Sequence, residues 1–249
     1  MPRRVVISGL GPVASIGVGA AAFGAALGAG RSRITPNRDL HDEGFPVYHA
    51  GTLRAFDPAS ILERLLAGEW GDNDRLAAAA ARLAVKDAGL DEESLRCAKA
   101  GAVVGTTHAE TDTLERWSLQ AILRGGLERA DARLLDRMLG GNLALAVARE
   151  LGLAGAAMVI PTVCAAGAYA IGYAADLVRH GDADVVIAGG ADVMVRVGHA
   201  GFTRLGALAD RCAPFEEPPH GCSSTTPSPS AARSSTTCSS RDTERPCRS

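Results

Sequence analysis

Short apolar runs alternate along the chain with longer segments whose apolar residues recur every three to four positions. The runs at Arg4–Ser8, Ala100–Gly105, Ala156–Ile160 and Asp184–Ala188 have the length and composition of buried strands. Asp74–Ala88 is the clearest helix. Asp74 stands in the acid-favouring first turn, Leu76, Ala79, Ala80, Leu83 and Ala84 form an apolar stripe, and Gly89 ends it. Gly17–Gly30, Thr111–Leu123, Asp131–Leu139, Asn142–Leu151 and Ala165–Arg179 read as further helices. Phe45–Phe56 is irregular, with room for an edge strand. Strands separated by helices predict an α/β fold, a mostly parallel sheet with helices on both faces. No repeat of 20–50 residues is visible.

The pattern stops abruptly near Phe215. From Glu216 to Ser249 there are nine Ser, five Thr and three Cys, with no Leu, Ile, Val, Met, Phe, Tyr or Trp. Such a segment buries too little apolar surface to offset its ordering entropy. It is expected to be a disordered tail (216–249) behind a folded domain (1–215).

Composition narrows the function classes. The 249 residues carry 26 basic and 28 acidic side chains, a net charge of −2. That balance lacks the basic stripe of a nucleic-acid binder. Lys86 and Lys99 are the only lysines; the arginine excess reads as the codon bias of a GC-rich genome. Leu151–Ala175 is uncharged over 25 residues, long enough to span a bilayer. Pro161, four glycines and many alanines make it instead a buried strand, a turn and a buried helix. The chain opens with no long apolar signal region. The six cysteines, Cys97, Cys164, Cys212, Cys222, Cys238 and Cys247, include no C-x-x-C pair. Neither a zinc site nor a redox motif is expected, and the chain reads as cytoplasmic and reduced.

The candidate chemistry lies in Thr162-Val-Cys164-Ala-Ala-Gly167. A strand ends there and a small-residue helix begins just after the cysteine. The unpaired N–H groups and positive end of a helix dipole favour thiolate over thiol, and so a nucleophilic sulfur at neutral pH. The same N–H groups can help hold an oxyanion. Ala165, Ala166 and Gly167 leave room for a substrate to reach the sulfur. An inert cysteine buried in a helix–sheet contact accounts for the same residues.

This junction resembles the nucleophile elbow of the β-ketoacyl-acyl-carrier-protein synthases, which have the thiolase fold. Other segments agree in order. Val5-Val-Ile-Ser-Gly-Leu-Gly-Pro-Val13 resembles the opening strand and turn, and Asp74-Arg-Leu76 through Lys86-Asp-Ala-Gly-Leu90 the first long helix. Val103-Val-Gly-Thr-Thr107 resembles the second strand and pocket loop. Asn142 to Leu153 resembles the helix before the elbow, and Gly181 to Asp192 the strand after it. Gly201-Phe202 with Leu205–Leu208 resembles a pocket segment. The likeness covers about residues 3 to 215, the family's N-terminal half.

The resemblance implies an acyltransferase of fatty acid or polyketide biosynthesis. Cys164 would take an acyl chain from a thioester. Malonyl-carrier protein would then lose CO2, and its carbanion would attack the acyl-enzyme to release a 3-oxoacyl product. No cofactor is implied beyond the phosphopantetheine that carries the substrates. The implied partners are acyl carrier protein and a second subunit, as a homodimer or a ketosynthase-like heterodimer, with no nucleic acid and no membrane. His108 in the pocket loop and Phe202 are candidate substrate-binding residues. A solvated loop histidine and a plain core phenylalanine are the alternatives.

Two departures stand out. After Cys212-Ala-Pro-Phe215-Glu216 the family continues to an Arg-Asp-Gly motif, where this chain has Pro218-Pro-His-Gly221. None of the six histidines (His41, His49, His108, His180, His199, His220) stands in a family catalytic motif. We read the tail as a frameshifted or wrongly assigned rendering of the family's second half, and expect the isolated chain to complete no condensation. A non-catalytic ketosynthase-like partner subunit is one alternative function. A dinucleotide-binding module, from Gly9-Leu-Gly11 after a strand, is another.

Overall fold

The computed structural model describes residues 3–53, 56–66, 68–139 and 141–209. The expected disordered tail, and the expected frameshift within it, lie outside the described residues. In chain order the elements are β1 (Val13–Ala14), β2 (Gly17–Val18), α1 (Ala20–Gly28), β3 (Ile34–Pro36), α2 (Arg38–Asp42) and β4 (His49–Gly51). Then follow α3 (Asp72–Asp87), α4 (Glu92–Cys97), β5 (Ala100–Gly105), α5 (Thr111–Arg124), α6 (Arg133–Arg137) and α7 (Asn142–Leu151). The last are β6 (Ala157–Ile160), α8 (Ala166–His180), β7 (Val185–Gly190) and α9 (Arg196–Arg204).

The central sheet is parallel, in the order β6-β5-β7. Its middle strand β5 is buried at every residue. Alternation along β5 splits the core into two layers. Ala100, Ala102 and Val104 face α3 and α7, where they meet Ala77, Ala81, Val85, Leu143, Val147 and Leu151. Val103 faces α8, where it meets Ala170 and Ala174. Helices therefore cover both faces, as expected.

Small residues set the distance between α8 and the sheet. Ala166, Ala170 and Ala174 recur every four residues and are all buried. At the sheet's C-terminal end, a Cβ on Gly105 would lie 2.2 Å from the Ala166 carbonyl carbon, and one on Gly190 would lie 3.1 Å from Gly167 Cα. The first turn of α8 thus rests directly on β5 and β7. Gly105→Ala should destabilise the protein by about 1–3 kcal/mol or more, because backbone rather than a side chain must move. A urea midpoint unchanged from wild type would contradict this packing.

On the other side α7 anchors the connection before α3. Glu150 is fully buried. Its carboxylate accepts the N–H groups of Glu63 (2.8 Å), Arg64 (3.0 Å) and Leu65 (3.0 Å), and pairs with Arg82 Nε of α3.

Three expectations need correction. Arg4–Ser8 was expected to be a strand buried on both faces. It pairs with no strand among the described residues, and Val6 and Ile7 are 70% and 76% exposed. The segment instead runs past α8 and α3: Arg3 N–H donates to the Arg179 carbonyl (3.3 Å), and Leu10 N–H to Asp87 (2.8 Å). The stripe on α3 is turned. Ala77, Ala78, Ala79, Ala81 and Val85 are its buried apolar residues, because α7 and β5 pack there. The Leu151–Ala175 stretch is less buried than expected. Among the described residues β6 has a neighbour on one side only; Ala157 and Met158 are exposed, and Tyr169, Ile171 and Tyr173 of α8 face outward. Among the described residues no helix is long and apolar enough to cross a membrane.

The dinucleotide reading also loses its basis. A Cβ on Gly9 would lie 2.2 Å from the Ala84 carbonyl oxygen, and one on Gly11 2.0 Å from that of Ala80. These glycines let the segment lie against α3. No helix opens on their turn to meet a pyrophosphate, since α1 begins only at Ala20.

Candidate functional site: a cysteine elbow at the sheet end

Strand β6 ends at Ile160, and Pro161 and Thr162 carry the chain to a single 3-10 turn, Val163–Ala165, that runs into α8. Val163 has φ of +57°, a left-handed conformation costly for a β-branched residue. That sharp bend holds Cys164 at the mouth of α8 instead of letting it enter the helix. Cys164 is a free, exposed thiol. It is not buried in the helix–sheet contact that the alternative reading places it in. The Gly105, Gly167 and Gly190 contacts fix the helix start beneath it.

The pocket loop begins one residue after Gly105. Thr106 N–H donates to the Ile160 carbonyl (3.2 Å), tying the loop to the strand that leads into the elbow. The Asp192 carboxylate, just beyond β7, accepts from Thr106 Oγ1 (2.7 Å) and from the N–H groups of Thr107 (2.9 Å) and His108 (2.9 Å). Thr106 Oγ1 in turn accepts the Ala109 N–H (2.8 Å). Ala109 has φ of +48°, and its carbonyl is held by Asn73 Nδ2 (3.0 Å). Opposing hydrogen bonds therefore keep this strained residue in place.

Behind the loop lies a buried carboxyl pair. Glu110 Oε1 accepts the Asp74 N–H (2.8 Å), and Glu110 Oε2 accepts from Thr113 Oγ1 (3.2 Å). A Cβ on Gly71 would fall 1.8 Å from Glu110 Oε2, so only glycine admits the carboxyl there. Neither Asp74 carboxyl oxygen meets a well-formed donor; Glu110 and the Gly71 backbone are its polar neighbours. Burial first, and the neighbouring carboxylates next, push Asp74 up to about 7 and Glu110 up to about 8. The shift favours the protonated forms, and a protonated carboxyl is itself a donor. Asp112 faces both, and Arg116 pairs with Asp112 (2.6 Å) and Asp72 (3.3 Å) at the surface.

His108 and Phe202 belong to the α9 side of this loop. A Cβ on Gly198 would fall 2.9 Å from His108 Nε2, so the imidazole lies directly on the first turns of α9. Phe202 follows one helical turn later and is 40% exposed. Helix α9 is itself fixed at its start by the Glu115 carboxylate, which accepts the Val197 and Arg196 N–H groups (2.5 and 3.3 Å). Farther along, His199 Nε2 bonds the Val47 carbonyl (2.7 Å). The structure thus joins His108 to the helix that carries Phe202, and joins Cys164 to the loop through Thr106 and Gly105.

Sequence reasoning overlooked Asp192, Asn73, Glu110 and Glu115 as positioning groups. For Asp192 a signal existed, since it closes the Gly181 to Asp192 segment that resembles the family's strand after the elbow. The other three are read only from their tertiary contacts.

The site is thus an exposed cysteine on a strained strand-to-helix elbow, at the C-terminal edge of a parallel sheet in an α/β fold. The family model for β-ketoacyl synthase, N-terminal domain, matches residues 2–224, and the chain belongs to that family. It is 30% identical over 210 residues to 3-oxoacyl-[acyl-carrier-protein] synthase 2 of Coxiella burnetii, covering 84% of this chain and 50% of that protein. Among solved structures, the ishigamide ketosynthase/chain length factor superposes with a TM-score of 0.81 at 37% identity, over 85% of this chain and 53% of that one. A type II polyketide synthase ketosynthase in complex with its acyl-carrier protein, bound to the hexaketide, gives 0.73 at 27% identity, over 86% and 52%. The thiolase-like fold class is therefore established. The chain spans about half the length of the curated relatives it matches.

Proposed function

We propose that this chain carries the acyl-accepting half of a β-ketoacyl-acyl-carrier-protein synthase, with Cys164 as nucleophile. The observation that supports this best is the exposed Cys164 thiol held at the start of α8 by the Val163 elbow. Its thiolate attacks the carbonyl carbon of an acyl thioester. A new sulfur–carbon bond forms, the donor's carbon–sulfur bond breaks, and the donor thiolate leaves and takes up a proton. Backbone N–H groups at the helix start stand where the oxyanion develops. The donor is an acyl chain on the phosphopantetheine of acyl carrier protein, in fatty acid or polyketide synthesis in the cytoplasm. His108 and Phe202 border the acyl chain. Decarboxylation of the malonyl unit needs histidines in family motifs that the chain's six histidines do not occupy. The polypeptide alone stops at the acyl-enzyme.

A second subunit, either another copy or a ketosynthase-like partner, would pair along β6. Among the described residues that strand has an unpaired edge, with Ala157 and Met158 exposed.

Incubation with a medium-chain acyl thioester and mass spectrometry tests the reading. One acyl group is expected on Cys164, none on Cys164→Ala, and no 3-oxoacyl product. Cys97 is an internal control, since it is also exposed but closes α4 at the negative end of its dipole. Equal acylation of both cysteines, or of neither, would overturn the proposal and favour a non-catalytic partner subunit.

A further inference from the structure

We propose that Asp192 is a positioning residue for acyl transfer, holding the 106–109 loop in the one conformation that keeps His108 seated on α9. The inference rests on the reading of Cys164 as acyl acceptor. Asp192 lies at the end of β7, beside the β5 end from which the loop departs: the Ala191 N–H donates to the Gly105 carbonyl (3.0 Å). Its Oδ1 collects a hydroxyl and two backbone N–H groups, and its Oδ2 shares the Thr107 N–H. Successive N–H groups that converge in this way form a nest for an anion, and here a carboxylate of the chain itself fills it.

The loop has reason to need such a strap. Its Ala109 sits in the left-handed region. Its Thr106 hydroxyl is used twice, donating to Asp192 and accepting from Ala109, so the strain at Ala109 is coupled to the carboxylate through one oxygen. Between these anchors stands His108, whose ring is placed by the backbone that Asp192 grips and by the absence of a side chain at Gly198. Without the carboxylate, the Thr107 and His108 N–H groups lose their acceptor and Ala109 can relax. His108 then leaves α9, and an acyl chain loses the side chain proposed to border it. Asp192 touches neither the sulfur nor the acyl group in this scheme. It acts through the loop.

The test compares wild type, Asp192→Asn and Asp192→Glu in acylation of Cys164 by thioesters of graded chain length. Amide hydrogen exchange is followed in the same full-length proteins. Asn keeps one acceptor oxygen for the Thr106 hydroxyl and the Thr107 and His108 N–H groups, but it loses the carboxylate charge and sets an amide N–H against the Thr107 N–H, so the strap is weakened while volume is kept. The half-saturating concentration of long-chain donor should rise about tenfold in Asp192→Asn, the saturating rate should fall no more than two- to threefold, and exchange at 107–109 should accelerate at least tenfold. Asp192→Glu should recover part of both. Exchange within α8 should not change. Unchanged half-saturation together with unchanged exchange at 107–109 would overturn the proposal. So would a fall in saturating rate alone. If Asp192→Asn fails to melt cooperatively, Thr106→Val removes the shared hydroxyl and should reproduce the same split. If wild type itself takes no acyl group, the acyl-acceptor reading fails, and exchange at 107–109 still decides whether Asp192 holds the loop.

Discussion

Glu150→Ala should destabilise the protein by about 3–5 kcal/mol, the range for breaking a buried, hydrogen-bonded charge pair by removing one partner. Three backbone N–H groups, at Glu63, Arg64 and Leu65, would lose their acceptor at once. Arg82 would stay largely buried, with Glu63 and the more distant Glu92 as its remaining acidic partners. Glu150→Gln should cost less, because one acceptor oxygen survives. Burial alone would raise the Glu150 carboxyl. The N–H of Glu63, the Arg82 guanidinium and the N–H of Arg64 outweigh it and hold the group below the usual carboxylate range. A depressed carboxyl contributes stability that is full above its unfolded value of 4.5 and is lost as pH falls through the folded one. Urea melts from pH 3 to 7 should therefore show a steeper acid loss in wild type than in Glu150→Gln. Parallel curves would refute this account.

The Asp74–Glu110 pair should act in the opposite direction and in a different window. Both carboxyls are raised in the folded protein, to about 7 and about 8, and their unfolded values are 3.8 and 4.5. Between about pH 4 and pH 8 the folded state therefore holds protons that the unfolded chain has released. Stability falls as pH rises through that window, by about 1.4 kcal/mol per pH unit for each proton so held. Because the two groups share a site, their contributions do not add; the loss across the window is on the order of several kcal/mol. Asp74→Asn places a permanent donor against Glu110 and lets a single carboxylate ionise. Its melts should slope less steeply than wild type from pH 5 to pH 8, because burial still raises Glu110 after the Asp74 charge is gone, and the gain over wild type should be greatest at pH 8. A wild-type midpoint that rises from pH 5 to pH 8 would contradict the raised carboxyls.

How much of this was readable in advance varies with the range of the interactions. The chain's own periodicity located β5 and α7 to the residue, because an apolar run and a strong amphipathic period are local signals. Helix α8 and the elbow were legible for the same reason. Strand character at Arg4–Ser8 was not enough to make a strand, since a strand exists only with a partner, and pairing is decided at long range. In α3 the run of alanines at 77–81 passes round the helix, so the stripe of Leu76, Ala79, Ala80, Leu83 and Ala84 did not mark the face that packing buries deepest. The packing of α7 and the approach of Gly9 and Gly11 chose the face. The short helices α2, α4 and α9 were overlooked. Asn37 and Asp91 cap the first two from their own sequence, but α9 takes its cap from Glu115 on α5, far along the chain.

The sequence by itself determined the class of this protein: alternating strands and helices, and a cysteine placed where a strand meets a small-residue helix. Those properties follow from patterns a few residues long. Only the tertiary structure decided what surrounds the cysteine. The loop depends on Asp192, Asn73 and Glu110, which stand on separate elements, and their carboxyls and amides become partners only after the sheet has brought β5 and β7 side by side. A charged side chain reads as surface in a sequence because water is its default partner. It becomes a strap or a raised, buried carboxyl only when folding removes that water and puts protein groups in its place.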